Sequence, residues 1–127
     1  MVSDNALRNR RILVVEDECL IALDLCSMLD RLGATVVGPV PSMEDAMDIL
    51  DSLGPLDAAV LDINLGSARV YPLADALEAR HVPYVFHTGH DELGLPERYR
   101  SVPRCEKPIR IETVVEIVRQ QLEATEH

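Results

Sequence analysis

Acidic side chains stand directly after two apolar stretches of the sequence, where they could do chemistry. Glu16 and Asp17 follow the run "RILVV", and Asp62 follows "AAVL". Carboxylates that are held close together repel one another, and a divalent cation relieves that repulsion. Magnesium suits a site of one or two carboxylates, a carbonyl oxygen and waters, with room for a phosphate oxygen. The three acids therefore predict a magnesium site, provided that the fold brings them together.

Two further residues add the groups that a phosphoryl-handling site needs. Thr88 follows "YVFH" and offers a hydroxyl, and Lys107 follows "RCE" and offers a compact positive charge. Acids, a metal ion, a hydroxyl and an ammonium group stabilise a moving phosphoryl group from several sides. The sequence has no "GxxxxGK" loop to cradle nucleotide phosphates, and Asp62 is the one side chain placed to be a nucleophile. These residue types predict a phosphoryl-handling site with Asp62 as its candidate nucleophile.

Each of these signals also has an ordinary structural explanation when it is taken alone. The acid pair could be a solvated turn at the start of a helix, and Asp62 could be a turn residue. His87 and His90 form an H-x-x-H pair, but a zinc site needs further ligands, which no Cys or His spacing supplies. The occurrence of acids, hydroxyl and ammonium together favours the functional interpretation.

The elements that must position these residues alternate along the chain. Apolar runs predict strands over 11–17, 34–40, 57–65, 83–89 and 101–108. Helical periodicity predicts helices over 20–32, 42–53 and 71–81 and from 109 onward, with a short or irregular helix over 90–100. Strict alternation predicts an α/β fold with a doubly wound, mostly parallel sheet and helices on both faces. Ligands bind such sheets at the carboxyl ends of the strands, where the polar residues fall.

Composition limits the class of protein. The 127 residues fit one domain, and 12 basic against 22 acidic residues give a net charge of −10. That excess argues against unaided binding to nucleic acid or to an anionic membrane. The N-terminus lacks a signal core, no stretch approaches the length of a membrane span, and three cysteines without a CxxC pair indicate reduced thiols. We expect a cytoplasmic protein.

Four motifs stand at the predicted strand ends: "VVEDE" (14–18), "VLDINLG" (60–66), "HTG" (87–89) and "EKP" (106–108). In this order they resemble the receiver domain of two-component response regulators. The resemblance covers about residues 11–122 and implies a single receiver domain over 1–127. It implies a flavodoxin-like sheet of five parallel strands in the order 2-1-3-4-5.

The resemblance also implies a role for each site residue. Asp62 is the implied phosphoryl acceptor, with Thr88 as a hydrogen-bond donor to the phosphoryl group and Lys107 as its ion-pair partner. Residues two beyond the acceptor and two beyond the threonine, Asn64 and His90, are implied to tune hydrolysis of the acyl phosphate. The implied Mg²⁺ ligands, direct or through water, are Glu16, Asp17, Asp62 and the backbone carbonyl of Asn64.

A narrower resemblance is carried by "VFHTGHDELGLPERYR", which is similar to the FATGUY receiver subgroup. The fourth strand of that subgroup ends in Phe-Ala-Thr-Gly, and here His87 replaces the alanine. The subgroup has an abbreviated fourth helix and is often paired with HWE-type sensor histidine kinases in bacteria. A second departure is Arg104, which stands where most receivers have an aromatic residue. The usual switch, which pairs the threonine with this aromatic residue, therefore cannot operate here. Tyr99 and Tyr84 are the candidates to replace the missing aromatic residue.

The resemblance implies a stand-alone, Mg²⁺-dependent response regulator that is not an enzyme beyond its own phosphorylation and dephosphorylation. A sensor histidine kinase or phosphotransfer protein would supply the phosphoryl group. The protein would then act on an effector, relay the phosphate or drain it from a kinase, as a monomer or weak dimer without direct contact to nucleic acid or membrane. Two alternatives remain. Arg104 keeps open a degenerate receiver that works as an interaction module, and a phosphatase-like hydrolase is disfavoured because Asn64 stands where a second aspartate is needed.

Overall fold

The computed structural model describes residues 7–65, 68–88, 96–106 and 111–126, in which strands and helices alternate. The strands are β1 (Arg11–Val15), β2 (Thr35–Val40), β3 (Ala58–Leu61), β4 (Asn64–Leu65), β5 (Ala68–Arg69), β6 (Tyr84–Thr88) and β7 (Arg104–Glu106). The α-helices are α1 (Cys19–Arg31), α2 (Met43–Ser52), α3 (Tyr71–Ala79) and α4 (Ile111–Glu126), and a 3₁₀ turn covers Glu97–Tyr99.

A five-stranded sheet forms the centre of the molecule, in the order β2-β1-β3-β6-β7. Every neighbouring pair in this sheet is parallel. The predicted α/β class with a parallel sheet is thereby confirmed. Pro103 immediately precedes β7, which lies at an edge of the sheet, where a missing backbone N–H is tolerated.

The predicted third strand over 57–65 is wrong at its carboxyl end. β3 ends at Leu61, and the chain then forms a separate antiparallel hairpin of β4 and β5, in which Asn64 pairs with Arg69. The cause is a local hydrogen bond, because the Asp62 carboxylate accepts from the backbone N–H of Asn64 at 3.1 Å. Such an aspartate turn competes with strand pairing and redirects the backbone.

Other boundaries differ by a few residues. The first strand ends at Val15 rather than at 17, and the fifth predicted strand begins at Arg104 rather than at 101. Residues 107 and 108 of that prediction lie outside the described residues. The helix predicted over 42–53 is confirmed as α2, with Ser42 as its N-cap, because the Ser42 hydroxyl accepts from the backbone N–H of Asp45 at 3.1 Å. Of the short or irregular helix predicted over 90–100, the described part contains the 3₁₀ turn, and 89–95 lies outside the described residues.

Two apolar layers cover the sheet, one on each face. Alternate residues along β1 separate them: Leu13 packs with α2 and α3, whereas Val14 packs with α1 and α4. Because both faces are buried, β1 and β3 are apolar throughout, apart from the first residue of β1. No helix within the described ranges has the length and apolar character needed to cross a membrane.

A bulge in β2 fixes the end of β1 from which the acidic residues emerge. Leu13 pairs with Val37 but Val15 pairs with Val40, so β2 carries an extra residue between them. Gly38 lies in this bulge with φ of +113°, and a Cβ atom there would come within 2.6 Å of a backbone oxygen of β1. Only glycine fits this close approach. Beyond the bulge, the backbone N–H of Glu16 donates to the Val40 carbonyl at 3.0 Å.

Candidate functional site

Three buried polar residues lie at the carboxyl ends of three adjacent strands of the sheet. Glu16, Asp62 and His87 have exposed fractions of 3%, 4% and 2%. Each lies two residues beyond a valine in one laterally paired row, formed by Val14, Val60 and Val85. Side chains alternate between the faces of a strand, so the polar row continues on the face that α1 and α4 cover. The register of the sheet therefore brings these polar groups together.

An acidic cluster lies at this carboxyl end of the sheet. The carboxylate oxygens of Glu16, Asp17, Glu18 and Asp62 come within 4.8 Å of one another. Glu16 and Asp62 are buried, whereas Asp17 and Glu18 are exposed and open the cluster to solvent. Hard carboxylate oxygens that repel one another at this distance fit the needs of a divalent cation such as Mg²⁺. The structure thus brings together the three acids that the sequence placed in one metal site.

Glu18 is a member of the cluster that the sequence reasoning missed. It is the third acid of "EDE" and immediately precedes the first residue of α1. The run of three acids was the available signal. A glutamate at a helix start is also common, because its negative charge interacts favourably with the positive end of the helix dipole. Its backbone N–H donates to Glu16 Oε2 at 3.1 Å, so Glu18 also orients a buried neighbour.

Backbone amides orient both buried carboxylates. Besides the Glu18 N–H on Glu16, the Asn64 N–H donates to Asp62 Oδ1 at 3.1 Å. The Asp62 backbone N–H in turn donates to the Val15 carbonyl at 2.9 Å, which fixes the end of β3 against β1. Asn64, the residue whose carbonyl is predicted to bind the metal, therefore lies beside Asp62. A hydrogen bond from a backbone amide holds a carboxylate in one orientation, as a metal or phosphoryl site requires.

The other predicted site residues are placed only in part. Thr88 ends β6, and its backbone pairs with that of Glu106 at the end of β7. The predicted lysine, Lys107, and the predicted neighbour His90 lie outside the described residues. Their roles remain predictions. Arg104 lies in β7 with its backbone paired to Phe86, one residue before His87.

His87 adjoins the acidic cluster, which the sequence did not predict. Its Nδ1 atom lies 3.8 Å from Glu16 Oε1, and both side chains are almost fully buried. Of the cysteines, Cys19 is exposed and Cys26 half-buried, and both are free thiols. The signal for His87 was its position one residue before Thr88, but the partner of a strand residue depends on the register of the whole sheet.

A second polar cluster, which we call the aromatic clasp, consists of Tyr71, Asp75, Arg98 and Tyr99. The buried Tyr99 ring stacks on Tyr71 at 4.7 Å between centroids, and the Arg98 guanidinium lies over the Tyr99 ring at 4.5 Å. The Tyr99 hydroxyl donates to Asp75, which also pairs with Arg98 at 3.0 Å. Burial and this hydrogen bond raise the pKa of Tyr99 to about 12. The clasp thus joins α3 to the 3₁₀ turn before β7.

Tyr84, the other aromatic candidate from the sequence, is the first residue of β6, at the end of the strand away from Thr88. Its ring lies 5.6 Å from that of Phe86, and Phe86 in turn contacts Tyr99 edge-on at 6.0 Å. The Tyr84 hydroxyl donates to Glu78 at 3.3 Å. Tyr99 is therefore joined to β6 through Phe86, next to the buried His87.

Comparisons with known proteins were made on the whole chain, and no family model matches it. The chain is 31% identical over 119 residues to the phyllosphere-induced regulator PhyR of Methylorubrum extorquens, a match covering 87% of the chain and 43% of that protein. The chain spans less than half the length of the curated relatives that it matches.

Solved structures give matches over nearly whole chains. The BeF3-activated conformation of SdrG from Pseudomonas melonis Fr1 is 39% identical, with a TM-score of 0.73, over 88% of this chain and 95% of that one. A response regulator receiver protein from Sinorhizobium medicae WSM419 is 28% identical, with a TM-score of 0.79, over 94% of this chain and 98% of that one. The similarity therefore extends beyond the acidic cluster to the arrangement of the whole sheet.

Proposed function

Since this chain belongs to the receiver family of two-component response regulators, we propose that it accepts a phosphoryl group on Asp62 with the help of Mg²⁺. The observation that carries the proposal is the buried Asp62 carboxylate, which lies within 4.8 Å of three other carboxylates. Receiver domains are signalling domains, so the phosphorylated protein itself is the product. We expect residues 1–127 to form one such domain.

The residues proposed to hold the metal are those that the structure gathers at the strand ends. They are Glu16, Asp17, Asp62 and the backbone carbonyl of Asn64, with Glu18 close by. Bound there, Mg²⁺ supplies the positive charge that offsets repulsion between the acids and the oxygens of an incoming phosphoryl group. Burial of Glu16 and Asp62 strengthens this electrostatic effect, because it removes water that would screen it.

The proposed reaction is an in-line transfer from a phosphohistidine. A carboxylate oxygen of Asp62 forms a bond to phosphorus while the phosphorus–nitrogen bond to the donor imidazole breaks, and the electron pair stays on that nitrogen. Thr88 and Lys107 are proposed to stabilise the phosphoryl oxygens through a hydroxyl hydrogen bond and an ammonium charge.

The finer identity of the protein is part of the same proposal. Membership of the receiver family supports a sensor histidine kinase or a phosphotransfer protein as the donor. The FATGUY resemblance favours a kinase of the HWE type. We propose a cytoplasmic regulator, a monomer or weak dimer, that signals through a protein partner without direct contact to nucleic acid. Its use as effector, relay or phosphate sink depends on that partner.

Intact-mass measurement after incubation with Mg²⁺ and acetyl phosphate tests the proposal. We expect one phosphate adduct on the wild type and none on Asp62→Ala. Asp48→Asn, which changes an exposed aspartate on α2, is the matched control and retains the adduct. A wild type without an adduct, or an Asp62→Ala variant with an undiminished one, contradicts the proposal. A folded chain that responds neither to Mg²⁺ nor to acetyl phosphate would support the alternative of an interaction module.

A further inference from the structure

We propose that His87 is a positioning residue of the acidic cluster, holding the Glu16 carboxylate in place through its Nδ1–H. Its consequence for metal binding rests on the proposed Mg²⁺-dependent phosphorylation, whereas the contact itself can be measured without metal. His87 stands where the FATGUY motif that this sequence resembles has alanine.

The first support is the burial of both partners. Glu16 and His87 have exposed fractions of 3% and 2%, and an unpaired charge at such a position is costly. Nδ1 of the imidazole lies 3.8 Å from Glu16 Oε1. This separation exceeds that of a hydrogen bond by less than 1 Å, so a small side-chain rotation closes it.

The second support is the orientation of the Glu16 carboxylate. Oε2 accepts the backbone N–H of Glu18, and this bond directs Oε1 toward His87. Hydrogen bonds from outside the ligand set orient metal-binding carboxylates and tune metal affinity.

The third support is the position of the two residues on the sheet. β1 and β6 flank β3, and neighbouring strands lie about 4.8 Å apart, so Glu16 and His87 start about 10 Å from each other. Their side chains meet across the strand that ends in Asp62. Because Thr88 is the next residue along β6, this contact joins the strand carrying the predicted hydroxyl to a predicted metal ligand.

The contact is tested first in metal-free protein by nitrogen NMR of the His87 ring. We expect a proton on Nδ1 and a change in the Nδ1 resonance in Glu16→Gln, because the acceptor loses its charge. Asp48→Asn is the distant control and should leave the ring resonances unchanged. Ring resonances that do not respond to Glu16→Gln overturn the proposal.

The consequence is tested by Mg²⁺ titration, with backbone amide shifts near Asp17 and Asp62 as the readout. His87→Leu keeps a buried side chain of similar size but no donor, and we expect its Mg²⁺ Kd to rise about tenfold. His87→Asn retains a donor near the Nδ1 position and should restore an affinity close to that of the wild type. An amide spectrum of each variant confirms that it is folded.

The outcomes separate the two proposals. Equal Mg²⁺ affinity in the wild type and a folded His87→Leu variant, with normal phosphorylation of the wild type, overturns the positioning role alone. A wild type that shows the His87–Glu16 contact but responds to neither Mg²⁺ nor acetyl phosphate overturns the proposed function and the effect of His87 on metal affinity, while the contact between the two side chains stands.

Discussion

The acidic cluster and the aromatic clasp flank the sheet on opposite faces and treat charged groups in opposite ways. In the clasp, Asp75 pairs with the Arg98 guanidinium and accepts the Tyr99 hydroxyl, so its charge is compensated within the chain. In the cluster, four carboxylates of one sign lie within 4.8 Å of one another. The clasp thus pairs its charged groups within the chain, whereas the cluster gathers the carboxylates that we propose bind Mg²⁺.

Electrostatics supports this distinction. The hydrogen bond from Tyr99 and the charge of Arg98 hold the pKa of Asp75 below its usual value. That shift means that the folded clasp favours the ionised carboxylate. The four carboxylates of the cluster carry the same charge and repel one another. A cation that binds the folded cluster would relieve this repulsion and stabilise the folded protein.

Tyr99→Ala gives the largest expected effect and tests the structural side of the comparison. The substitution removes a fully buried ring that stacks on Tyr71 and contacts Phe86, and such truncations cost about 3–5 kcal/mol in the free energy of unfolding. Urea denaturation measures the loss. If the variant loses less than about 1 kcal/mol, the clasp is not a stabilising element and the comparison fails.

Asp17→Asn gives the next largest effect and tests the functional side. Asp17 is an exposed member of the cluster, so its loss removes a metal ligand without opening a cavity. We expect Mg²⁺ affinity to fall by about tenfold or more, while the stability of the metal-free protein is unchanged or rises because repulsion is relieved. Amide shifts during a Mg²⁺ titration measure the affinity.

The control for Asp17→Asn is Asp48→Asn, which removes the same charge from the exposed face of α2. It should leave Mg²⁺ affinity at the wild-type value. A similar loss of affinity in both variants would show that net charge, rather than the cluster, attracts the cation.

Much of this arrangement follows from the sequence, because apolar runs define the buried strands and polar residues mark their ends. The acids of the cluster were predicted in this way, since parallel strands deliver their carboxyl ends to one edge. The end of β3 at Leu61 was not predicted. There the Asp62–Asn64 hydrogen bond decides the backbone path, and the apolar pattern through Leu65 gives no sign of it.

Contacts between residues that are distant in the sequence could not be predicted either. The sequence named Tyr99 as a candidate aromatic residue, but its partners Tyr71 and Asp75 come from α3 and depend on how that helix packs. His87 meets Glu16 only because β1 and β6 both flank β3. Such pairs depend on sheet register and side-chain reach, which local periodicity does not encode.

Tyr99→Phe gives the smallest expected effect and sharpens the comparison by removing one hydroxyl from the clasp. The ring packing remains, so the loss at neutral pH should be about 1 kcal/mol, the value of one hydrogen bond. The pH dependence carries more information. An unfolded tyrosine ionises near pH 10, whereas burial and the bond to Asp75 raise the pKa of Tyr99 to about 12. Between these values the folded state binds more protons than the unfolded state, so stability is lost as the pH rises.

Urea denaturation of the wild type and of Tyr99→Phe at about pH 8 and about pH 11 separates these contributions. The variant should lose less stability than the wild type between the two pH values, because it has no hydroxyl to ionise. Tyr84→Phe is the matched comparison, since burial raises the pKa of Tyr84 as well and its hydroxyl bonds to Glu78 rather than to the clasp. If Tyr99→Phe and the wild type lose the same stability, the Tyr99 hydroxyl is not held by Asp75, and ring packing alone accounts for the clasp.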